Sequence, residues 1–404
     1  MTGAAYPSLV WPARLSRGLE RIWAVGLCRR PPLDADKIVA AAIAREGARP
    51  GAGPWRERLD WLCSALRDEA DLNSLGRANA YGQLVRIVAS RIRAERLWRT
   101  HPEILRRPIE APVAIVGQMR SGTTRMHRLL ACDPAFAHMR TFESLEPVPL
   151  DGWHRHLDPR PLAALAVIAF LHRCNPALAQ IHPTTPFAVE EEYGLHAFSL
   201  WGAQFEAQWH IPGFARRCEA SDARDVYDGF ARLLQTIGWS RRDDPARRWL
   251  IKAPQFCQDL DALIARFPDI KIVHLSRRTV EVVASGASLA WHQVRIQSDR
   301  ADRAAIGAEW LRKTALRESR IRQVLEAQPN VARFELSYGE VSDDWREALR
   351  RLYQFMGMNL SAKIDARMAS LTRRPASHFG HRYALEDFGL NRSAVVAALA
   401  YRKL

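Results

Sequence analysis

The sequence predicts an α/β fold in which a P-loop-like parallel β-sheet is flanked by helices, with additional N-terminal and inserted helical regions. Three observations predict it. A β-branched run at residues 113–116 is followed by a glycine-rich loop and then by a helical pattern through residues 129–130. A second apolar run, RRWLIKAPQ, precedes the helix-like segment CQDLDALIARFP, and a third run, DIKIVHLS, follows it. Strands that alternate with helices in this order are typical of a parallel sheet covered by helices.

The flanking segments complete this organisation. In residues 1–108, the segments DADKIVAAAIARE and YGQLVRIVASRIRAERLWRTHPEIL carry apolar residues at three- and four-residue spacing, which predicts helices joined by the loop EGARPGAGPW. We expect residues 1–108 to pack as a helical region on the core of the α/β domain at residues 109–404, so that both form one structural unit. NVARFEL predicts a further strand, and EALRRLYQFMG begins a helical tail that runs to Pro375.

The composition favours an anionic partner. Lysine and arginine number 59 against 44 aspartates and glutamates, which gives a formal net charge of +15. Nucleic acid, an anionic membrane surface and a polyphosphorylated small molecule all fit this charge. The arginines are scattered through helical stretches rather than gathered in one polybasic run, so we expect a solvated basic surface and no specific nucleic-acid partner.

The cysteines and the N-terminus bear on metal content and compartment. Six cysteines, at positions 28, 63, 132, 174, 218 and 257, form no CxxC pair. This spacing disfavours a zinc site and a disulfide framework, and we expect no metal. The first 26 residues contain proline and arginine where a signal peptide has an apolar core, so a cytoplasmic protein is expected. The longest apolar run, residues 161–171, is shorter than the ~20 residues of a bilayer span and predicts a buried or surface-docked helix.

The segment GQMRSGTT, residues 117–124, has the spacing of a phosphate-binding loop. Backbone N–H groups of such a loop, together with the positive end of the following helix, form a cradle for phosphate oxygens. Gly122 allows the backbone to approach the anion closely. Hydroxyl donors can come from Ser121, Thr123 and Thr124.

The loop departs from the nucleotide-kinase pattern at one position. A kinase or ATPase loop carries a lysine after its second glycine, and that lysine reaches the β- and γ-phosphates. Here that position is Thr123, and the cation is Arg120, inside the loop. The loop is therefore suited to hold a 5'-phosphate but poorly suited to transfer a γ-phosphoryl group. A glycine-rich turn without a ligand is the alternative.

A second anion site is indicated by HLSRRTVEVVAS, residues 274–285. Arg277 ends a predicted strand, and Ser285 follows eight residues later, about two helical turns on. Both side chains can converge on one anion at the crevice beyond the strand ends, where open α/β sheets bind ligands. A surface arginine and an unrelated helix serine are the alternative.

Together these segments resemble the bacterial branch of the PAPS-dependent sulfotransferases, where PAPS is 3'-phosphoadenosine-5'-phosphosulfate. PVAIVGQMRSGTT resembles the family's 5'-phosphosulfate loop, and KIVHLSRRTVEVVAS resembles its 3'-phosphate element. WLIKAPQFCQDLDALIARFPDIK and YALEDFGL are also similar to the bacterial members. The resemblance implies PAPS as donor co-substrate, bound by Arg120, Ser121, Gly122, Thr123, Thr124, Arg277 and Ser285.

Three positions depart from the family pattern. Arg120 stands where the animal cytosolic members have lysine, which keeps the positive charge but replaces a compact ammonium with a planar guanidinium. Arg278 and Thr279 stand where the family commonly has an acidic or amide residue and then proline. Phe256 occupies a position that is histidine in many bacterial members, so no histidine base is assigned there.

The resemblance and the chemistry together imply in-line transfer of a sulfuryl group to a hydroxyl or amine of a small-molecule, lipid or sugar acceptor. Cations must then neutralise charge on the transferred group and on the leaving phosphate, and protein cations can do this without a metal. Arg120 would contact the 5'-phosphate and the bridging oxygen, and Lys252 would be a second stabilising cation. The alternative for Lys252 is a surface lysine at a strand terminus.

A general base is predicted in the acidic segment AVEEEYGL. Glu190 is the first candidate and Glu192 the second, with an acidic first helical turn as the alternative reading. Other candidate bases are His182, His210, His378 and His381. The N-terminal region, HAFSLWGAQFEAQWHIPGF and LAWHQVRIQSDRADR are aromatic-rich candidates for the walls of an acceptor pocket.

Other interpretations of the chain stay open. A P-loop kinase should carry the missing loop lysine and a strand that ends in a magnesium-binding aspartate, and neither is evident. A non-catalytic anion- or nucleic-acid-binding protein would bind any polyanion in a salt-sensitive way. An inactive sulfotransferase-like protein and a peripheral membrane contact also fit the sequence, which gives no oligomeric state.

Overall fold

A five-stranded parallel sheet forms the centre of the protein. The computed structural model describes residues 9–150, 152, 157–181, 183–277, 279–373 and 383–400. The strands are β1 Val113–Val116, β2 Phe136–Ala137, β3 Arg248–Lys252, β4 Lys271–Ser276 and β5 Arg333–Ser337. Their spatial order is β2-β3-β1-β4-β5, and every neighbouring pair is parallel.

The register of the sheet brings three strand ends together. In β1, Ile115 pairs with Lys252 of β3, and Val116 pairs with His274 of β4. The carboxyl ends of all three strands therefore lie at one edge. That edge of a parallel sheet is where ligands bind in open α/β folds.

From residue 9 onward, four α-helices precede the sheet, and local sequence explains several of their ends. Asp34 accepts a hydrogen bond from the Lys37 N–H at 3.0 Å, and Asn73 accepts one from the Gly76 N–H at 2.8 Å, so both residues cap a helix start. Gly47, with φ of 69°, ends the second helix in the left-handed conformation. The helices are α1 Val10–Ala24, α2 Ala35–Glu46, α3 Trp55–Asp68 and α4 Ser74–Thr100, followed by a 3₁₀ turn at Pro102–Arg106.

The remaining helices follow or connect the strands. From β1 to β4 they are α5 Thr123–Leu130, α6 Thr141–Leu145, α7 Arg160–Cys174, α8 Ala177–Ile181, α9 Tyr193–Phe198, α10 Ala203–Gln208, α11 Pro212–Ala220, α12 Arg224–Ser240, a 3₁₀ turn at Pro254–Cys257 and α13 Leu260–Arg266. After β4 they are α14 Thr279–Gln297, α15 Arg303–Ala327, α16 Tyr338–Asp343, α17 Trp345–Met356, α18 Ala362–Thr372, a 3₁₀ turn at Glu386–Phe388 and α19 Arg392–Ala400.

Both faces of the sheet are covered, and β1 shows how. Its residues are all fully buried, as expected of a central parallel strand. Ala114 and Val116 belong to the hydrophobic cluster that includes α2, α3, α4 and α12, whereas Val113 and Ile115 belong to the cluster built with α5 and α17. Because side chains alternate along a strand, one short run of apolar residues contributes to two cores.

The sheet and its helices confirm the predicted fold class. Strands occur in all four of the predicted apolar runs, and the very short strand β2 had no counterpart in the prediction. The apolar run at residues 161–171 lies in α7, whose side chains are largely exposed, so it is a surface helix and not a buried one. None of the helices in the described residues combines the length and apolar composition of a bilayer span.

Candidate functional site

The loop after β1 has a conformation that only its glycines permit. A side chain at Gly117 would place its Cβ 2.6 Å from the Leu275 carbonyl oxygen and 2.8 Å from Ser121 Oγ. Gly122 has φ of 90°, in the left-handed region that favours glycine. The Ser121 hydroxyl donates to the Gln118 carbonyl at 2.7 Å. Ser121 therefore holds the loop closed, and its hydroxyl does not point outward as a free donor.

The loop leads directly into the first turn of α5. The first hydrogen bond of this helix runs from the Met126 N–H to the Gly122 carbonyl, at 3.1 Å. The N–H groups before Met126 have no acceptor within the helix, as at any helix start. These donors and the positive end of the helix dipole make the start of α5 suitable for an anion.

Arg277 connects the two segments that the sequence predicted for the donor. Its Nη1 donates to the carbonyl oxygen of Arg120 at 2.9 Å, so the strand end of β4 contacts the loop after β1. The Arg277 guanidinium lies 4.1 Å over the ring of Tyr338 and pairs with Glu281 at 2.6 Å. A Cβ at Gly122 would lie 3.0 Å from the same Tyr338 ring. Tyr338 thus supports both the loop and Arg277.

Arg120 and Ser285 occupy contrasting environments. Arg120 is half-buried and has φ of 69°, which is uncommon for a residue with a side chain. Strained backbone of this kind is concentrated at ligand-binding loops. Ser285 lies in the second turn of α14 and is buried, as is Thr123 at the start of α5.

Lys252 is buried at the end of β3 and joins the loop side of the site to the acidic segment. Only 1% of the residue is exposed. Its Nζ donates to Thr124 Oγ1 at 3.2 Å and forms a short ion pair with the Glu191 carboxylate. The alternative of a surface lysine at a strand terminus is therefore wrong.

The acidic segment places its carboxylates in different surroundings. Glu190 accepts hydrogen bonds from the hydroxyls of Thr141 and Thr184 at 3.3 and 3.2 Å. Glu192 is fully buried and accepts the backbone N–H of Lys252 at 2.7 Å, and burial raises its pKa well above the ordinary value. All three glutamates precede α9, so the alternative of an acidic first helical turn is also wrong.

Three side chains of this site were not singled out from the sequence. Glu191 is the carboxylate that contacts the Lys252 ammonium. Tyr193 hydrogen-bonds Glu191, and burial raises the pKa of its phenol well above the ordinary value. Arg317 of α15 is 1% exposed, and its Nε and Nη2 have no hydrogen-bond partner among the described residues.

Arg317 lies near the phosphate loop and the acidic segment. One turn earlier in α15, the Thr314 carbonyl accepts the Gln118 side-chain N–H at 3.2 Å, which ties α15 to the loop. Burial raises the pKa of Cys257 to about 12, and the charge of Arg317 opposes that rise. Arg317 also opposes the rise at Tyr193. A buried guanidinium with unpaired nitrogens is costly, and perturbed buried charges cluster at functional sites, which makes Arg317 a candidate site residue.

Comparison with known proteins identifies the family. A model described as "Sulfotransferase family" matches residues 112–362. The chain belongs to this family. Sulfotransferase STF1 from Mycobacterium tuberculosis H37Rv is 27% identical with a TM-score of 0.80, over 92% of this chain and 100% of that one. Sulfotransferase STF9 from Mycobacterium avium shares the fold at 22% identity and a TM-score of 0.78, over 91% of this chain and 95% of that one.

The comparison with curated proteins gave no significant match. Membership of the sulfotransferase family confirms the resemblance drawn from the loop and the β4 segment. It also favours a sulfotransferase over the kinase and nucleic-acid-binding alternatives. Within the described ranges, no group of three or more histidine, cysteine, aspartate or glutamate side chains could hold a metal ion.

An open surface pocket of this sulfotransferase-family chain is lined by segments that are distant in the sequence. Two of the aromatic-rich segments predicted as acceptor walls contribute to it, together with α15. No residue of the N-terminal region, which was predicted as a third wall, is among the described residues that line the pocket. Met119 of the loop packs in the same hydrophobic cluster as several lining residues. The aromatic and apolar lining includes Trp209, Ile211, Ala290, Val294, Ile306 and Trp310, and the polar lining Glu206, His210, Glu309 and Lys313.

The predicted histidine bases have different outcomes. His210 lines this pocket, and burial lowers its pKa, so the imidazole is neutral at physiological pH. His182, His378 and His381 lie outside the described residues, as does Arg278. Phe256 is fully buried, with its ring 5.8 Å from that of His196 and 5.9 Å from that of Phe230. That position therefore contributes packing below the site.

Proposed function

We propose that this protein transfers the sulfuryl group of PAPS to a hydroxyl or amine of a small-molecule, lipid or sugar acceptor by in-line displacement. The observation that carries the proposal is the buried Lys252 ammonium, which contacts both Thr124 at the start of α5 and the Glu191 carboxylate. A cation and a carboxylate beside a phosphate loop are the groups that sulfuryl transfer requires.

The donor would lie along the loop and the first turn of α5. The free N–H groups of that turn suit the 5'-phosphate, and Arg120 of the loop would supply a cation. Arg277 and Ser285 would hold the 3'-phosphate, as the family resemblance implies. The contact of Arg277 with the Arg120 carbonyl supports this arrangement, because the guanidinium lies beside the loop that we propose holds the donor.

Lys252 would stabilise the charge that develops on the bridging oxygen as the sulfur–oxygen bond of the donor breaks. Its burial strengthens that effect, because little water competes for the ammonium. A donor that pairs with Lys252 also weakens the hold of Lys252 on Glu191. Glu191 would then accept the acceptor proton while the acceptor oxygen or nitrogen bonds to sulfur, and the adenosine bisphosphate leaves as an anion.

We propose Glu191 as this base because it contacts Lys252. Glu190, the candidate favoured by the sequence, stays a prediction. Glu192 would act as a positioning residue, since its carboxylate holds the backbone of Lys252. Arg317 would supply a further cation near Glu191 and Tyr193, and its unpaired nitrogens are available to a ligand that enters the site.

The donor site is tested by calorimetric titration with 3',5'-adenosine bisphosphate, with ATP and magnesium as the comparison ligand. We expect preference for the bisphosphate. Arg120→Ala and Arg277→Ala should each weaken binding roughly 10- to 100-fold, the range for loss of one charged hydrogen bond. Arg49→Ala, a change of an exposed arginine before α3, is the matched control and should bind normally. Preference for ATP, or equal affinity in all four proteins, would overturn the proposed donor.

The base is tested by comparing Glu190→Gln, Glu191→Gln and Glu192→Gln. Turnover is measured as release of bisphosphate from PAPS with an acceptor selected from phenols, alcohols and amines. Glu191→Gln should lower turnover roughly 10²- to 10⁴-fold, the usual contribution of a general base, and leave bisphosphate affinity intact or tighter. A comparable loss in Glu190→Gln with a normal Glu191→Gln would transfer the role to Glu190.

A further inference from the structure

Helix α7 exposes a row of apolar side chains. Leu162 is 72% exposed and Leu165 is 52% exposed, and Leu157, just before the helix, is 96% exposed. The helix packs on the protein through Ala164 and Ile168 alone among its central residues. Isolated surface leucines are ordinary, but a contiguous apolar row on a folded protein marks a surface that something covers.

Helix α1 continues this surface. The Arg173 guanidinium at the end of α7 lies 4.3 Å over the ring of Trp11 in α1. Leu15 of α1 and Leu171 of α7 pack against the same hydrophobic cluster, so the two helices are neighbours. Alongside Trp11, α1 and the residues that follow it expose Val10, Ile22, Val25 and Leu27.

The apolar side chains of α1 are interleaved with cations. Its exposed arginines, and those just after it, are Arg14, Arg17, Arg21, Arg29 and Arg30. The acidic residue of α1, Glu20, accepts a hydrogen bond from Ser74 of α4 at 3.0 Å. The face is therefore apolar and strongly basic at once. A basic helix with tryptophan and aliphatic residues on its exposed side has the composition of helices that lie in a membrane interface.

The positive charge of this face distinguishes between two molecules that could cover it, a second copy of the chain and a lipid bilayer. A second copy of the chain, packed about a two-fold axis, would bring the arginines of one α1 close to those of the other, and like charges at an interface are unfavourable. Anionic lipid headgroups complement the same arginines. The leucines of α7 project from a convex helix rather than line a groove, and insertion into an acyl interface needs no complementary shape.

We propose that the α1–α7 face, formed by the exposed side chains of residues 10–30 and 157–173, docks on the surface of an anionic lipid bilayer. The leucines of α7 and the exposed apolar residues of α1 enter the acyl boundary, and the arginines of α1 contact the headgroups. This inference goes beyond the proposed function and does not depend on the identity of the donor or acceptor.

The experiment is flotation of the full chain with vesicles of phosphatidylcholine, with and without phosphatidylglycerol. We expect binding only to the anionic vesicles, with an affinity that falls as salt is raised. Leu162→Asp/Leu165→Asp should lower partitioning at least tenfold, whereas Val396→Asp, at an apolar site on α19 that is 50% exposed, should not change it.

The contribution of the arginines is tested in the same flotation experiment with Arg14→Gln/Arg17→Gln. The matched control is Arg45→Gln/Arg49→Gln, on another surface. The α1 pair should bind about 25-fold more weakly, which is about fivefold, or about 1 kcal/mol, for each arginine near an anionic membrane. Bisphosphate titration of every variant shows that the fold and donor site are intact. Failure to bind anionic vesicles, equal losses in test and control variants, or a dimer that the α7 variant dissociates without vesicle binding would overturn the proposal.

Discussion

Replacement of Gly122 by alanine should disturb both the stability and the donor site, and the structure gives the size of each effect. Gly122 has φ of 90°, and a left-handed conformation costs a residue with a Cβ about 1–2 kcal/mol. The new methyl group would also lie 3.0 Å from the Tyr338 ring, closer than an ordinary contact. Because Arg277 stacks on that ring, relief of the contact would displace Arg277 from the loop.

Two other glycines separate these contributions. Gly47 is also left-handed, with φ of 69°, but an added Cβ there meets nothing within 4 Å. Gly82 lies inside α4 with open space around it, so alanine should stabilise that helix by about 0.5–1 kcal/mol. We expect Gly47→Ala to destabilise by about 1 kcal/mol, after the gain from a less flexible unfolded chain, and Gly122→Ala to cost more.

The assay is urea unfolding of the three variants together with bisphosphate titration. Gly122→Ala should lower the unfolding free energy by about 2 kcal/mol and weaken bisphosphate binding about tenfold, since the loss of one well-placed cation contact is about that large. Gly47→Ala and Gly82→Ala should bind as the unmodified protein does. A Gly122→Ala protein that is as stable as Gly82→Ala and binds normally would refute the described loop conformation.

Three further predictions follow from buried charges. Burial raises the pKa of Asp259 from 3.8 to about 6. The stabilising contribution of the protonated carboxyl is therefore full below pH 3.8 and is lost as the pH rises through about 6. Over that pH interval, the unfolding free energy of Asp259→Asn, measured by urea unfolding, should rise by about 3 kcal/mol relative to that of the unmodified protein. Arg317→Met should leave the unfolding free energy unchanged or raise it, because two nitrogens of this buried guanidinium lack hydrogen-bond partners among the described residues, while turnover falls at least tenfold. Lower stability with normal turnover would make Arg317 structural. Lys252→Met should lower the unfolding free energy by about 3 kcal/mol, because it leaves the Glu191 carboxylate without its cation. In a double-mutant cycle, adding Glu191→Gln to Lys252→Met should restore most of this loss. If the losses of the two single variants simply add in the double variant, the ion pair is contradicted.

The strands and the phosphate loop could be predicted because their signals are local. A run of β-branched residues between polar segments indicates a buried strand, and glycine spacing indicates the loop. The edge strand β2 has two residues, Phe136–Ala137, too few to show any periodicity. It is a strand because Phe136 pairs with Arg248 and Ala137 with Trp249 of β3. Pairing between distant residues is not visible in a single sequence.

In the acidic segment, the sequence predicted carboxylates near the site but not which of them contact Lys252. In the acidic run, the ammonium of Lys252 contacts Glu191 and its backbone N–H contacts Glu192, and sequence spacing alone does not distinguish these two arrangements. The sequence did not indicate Arg317 as a site residue, because it lies among many other charged residues of α15. Its burial against Trp310, 5.7 Å away, is a property of tertiary packing. The sequence likewise could not predict whether α7 is buried or exposed, because its apolar composition fits both positions.

The central position of β1 makes the proposed donor site a property of the whole sheet rather than of any fragment. The loop follows β1, Lys252 ends β3 and Arg277 follows β4, so neighbours in space are far apart in the chain. Such non-local pairing is slow to form during folding, and a contiguous piece shorter than this span would lack one of the proposed donor groups. A donor analogue at about 100 times its Kd should therefore add about 2.7 kcal/mol to the unfolding free energy of the entire cooperative unit, which makes ligand-induced stabilisation a measure of how much of the chain unfolds together.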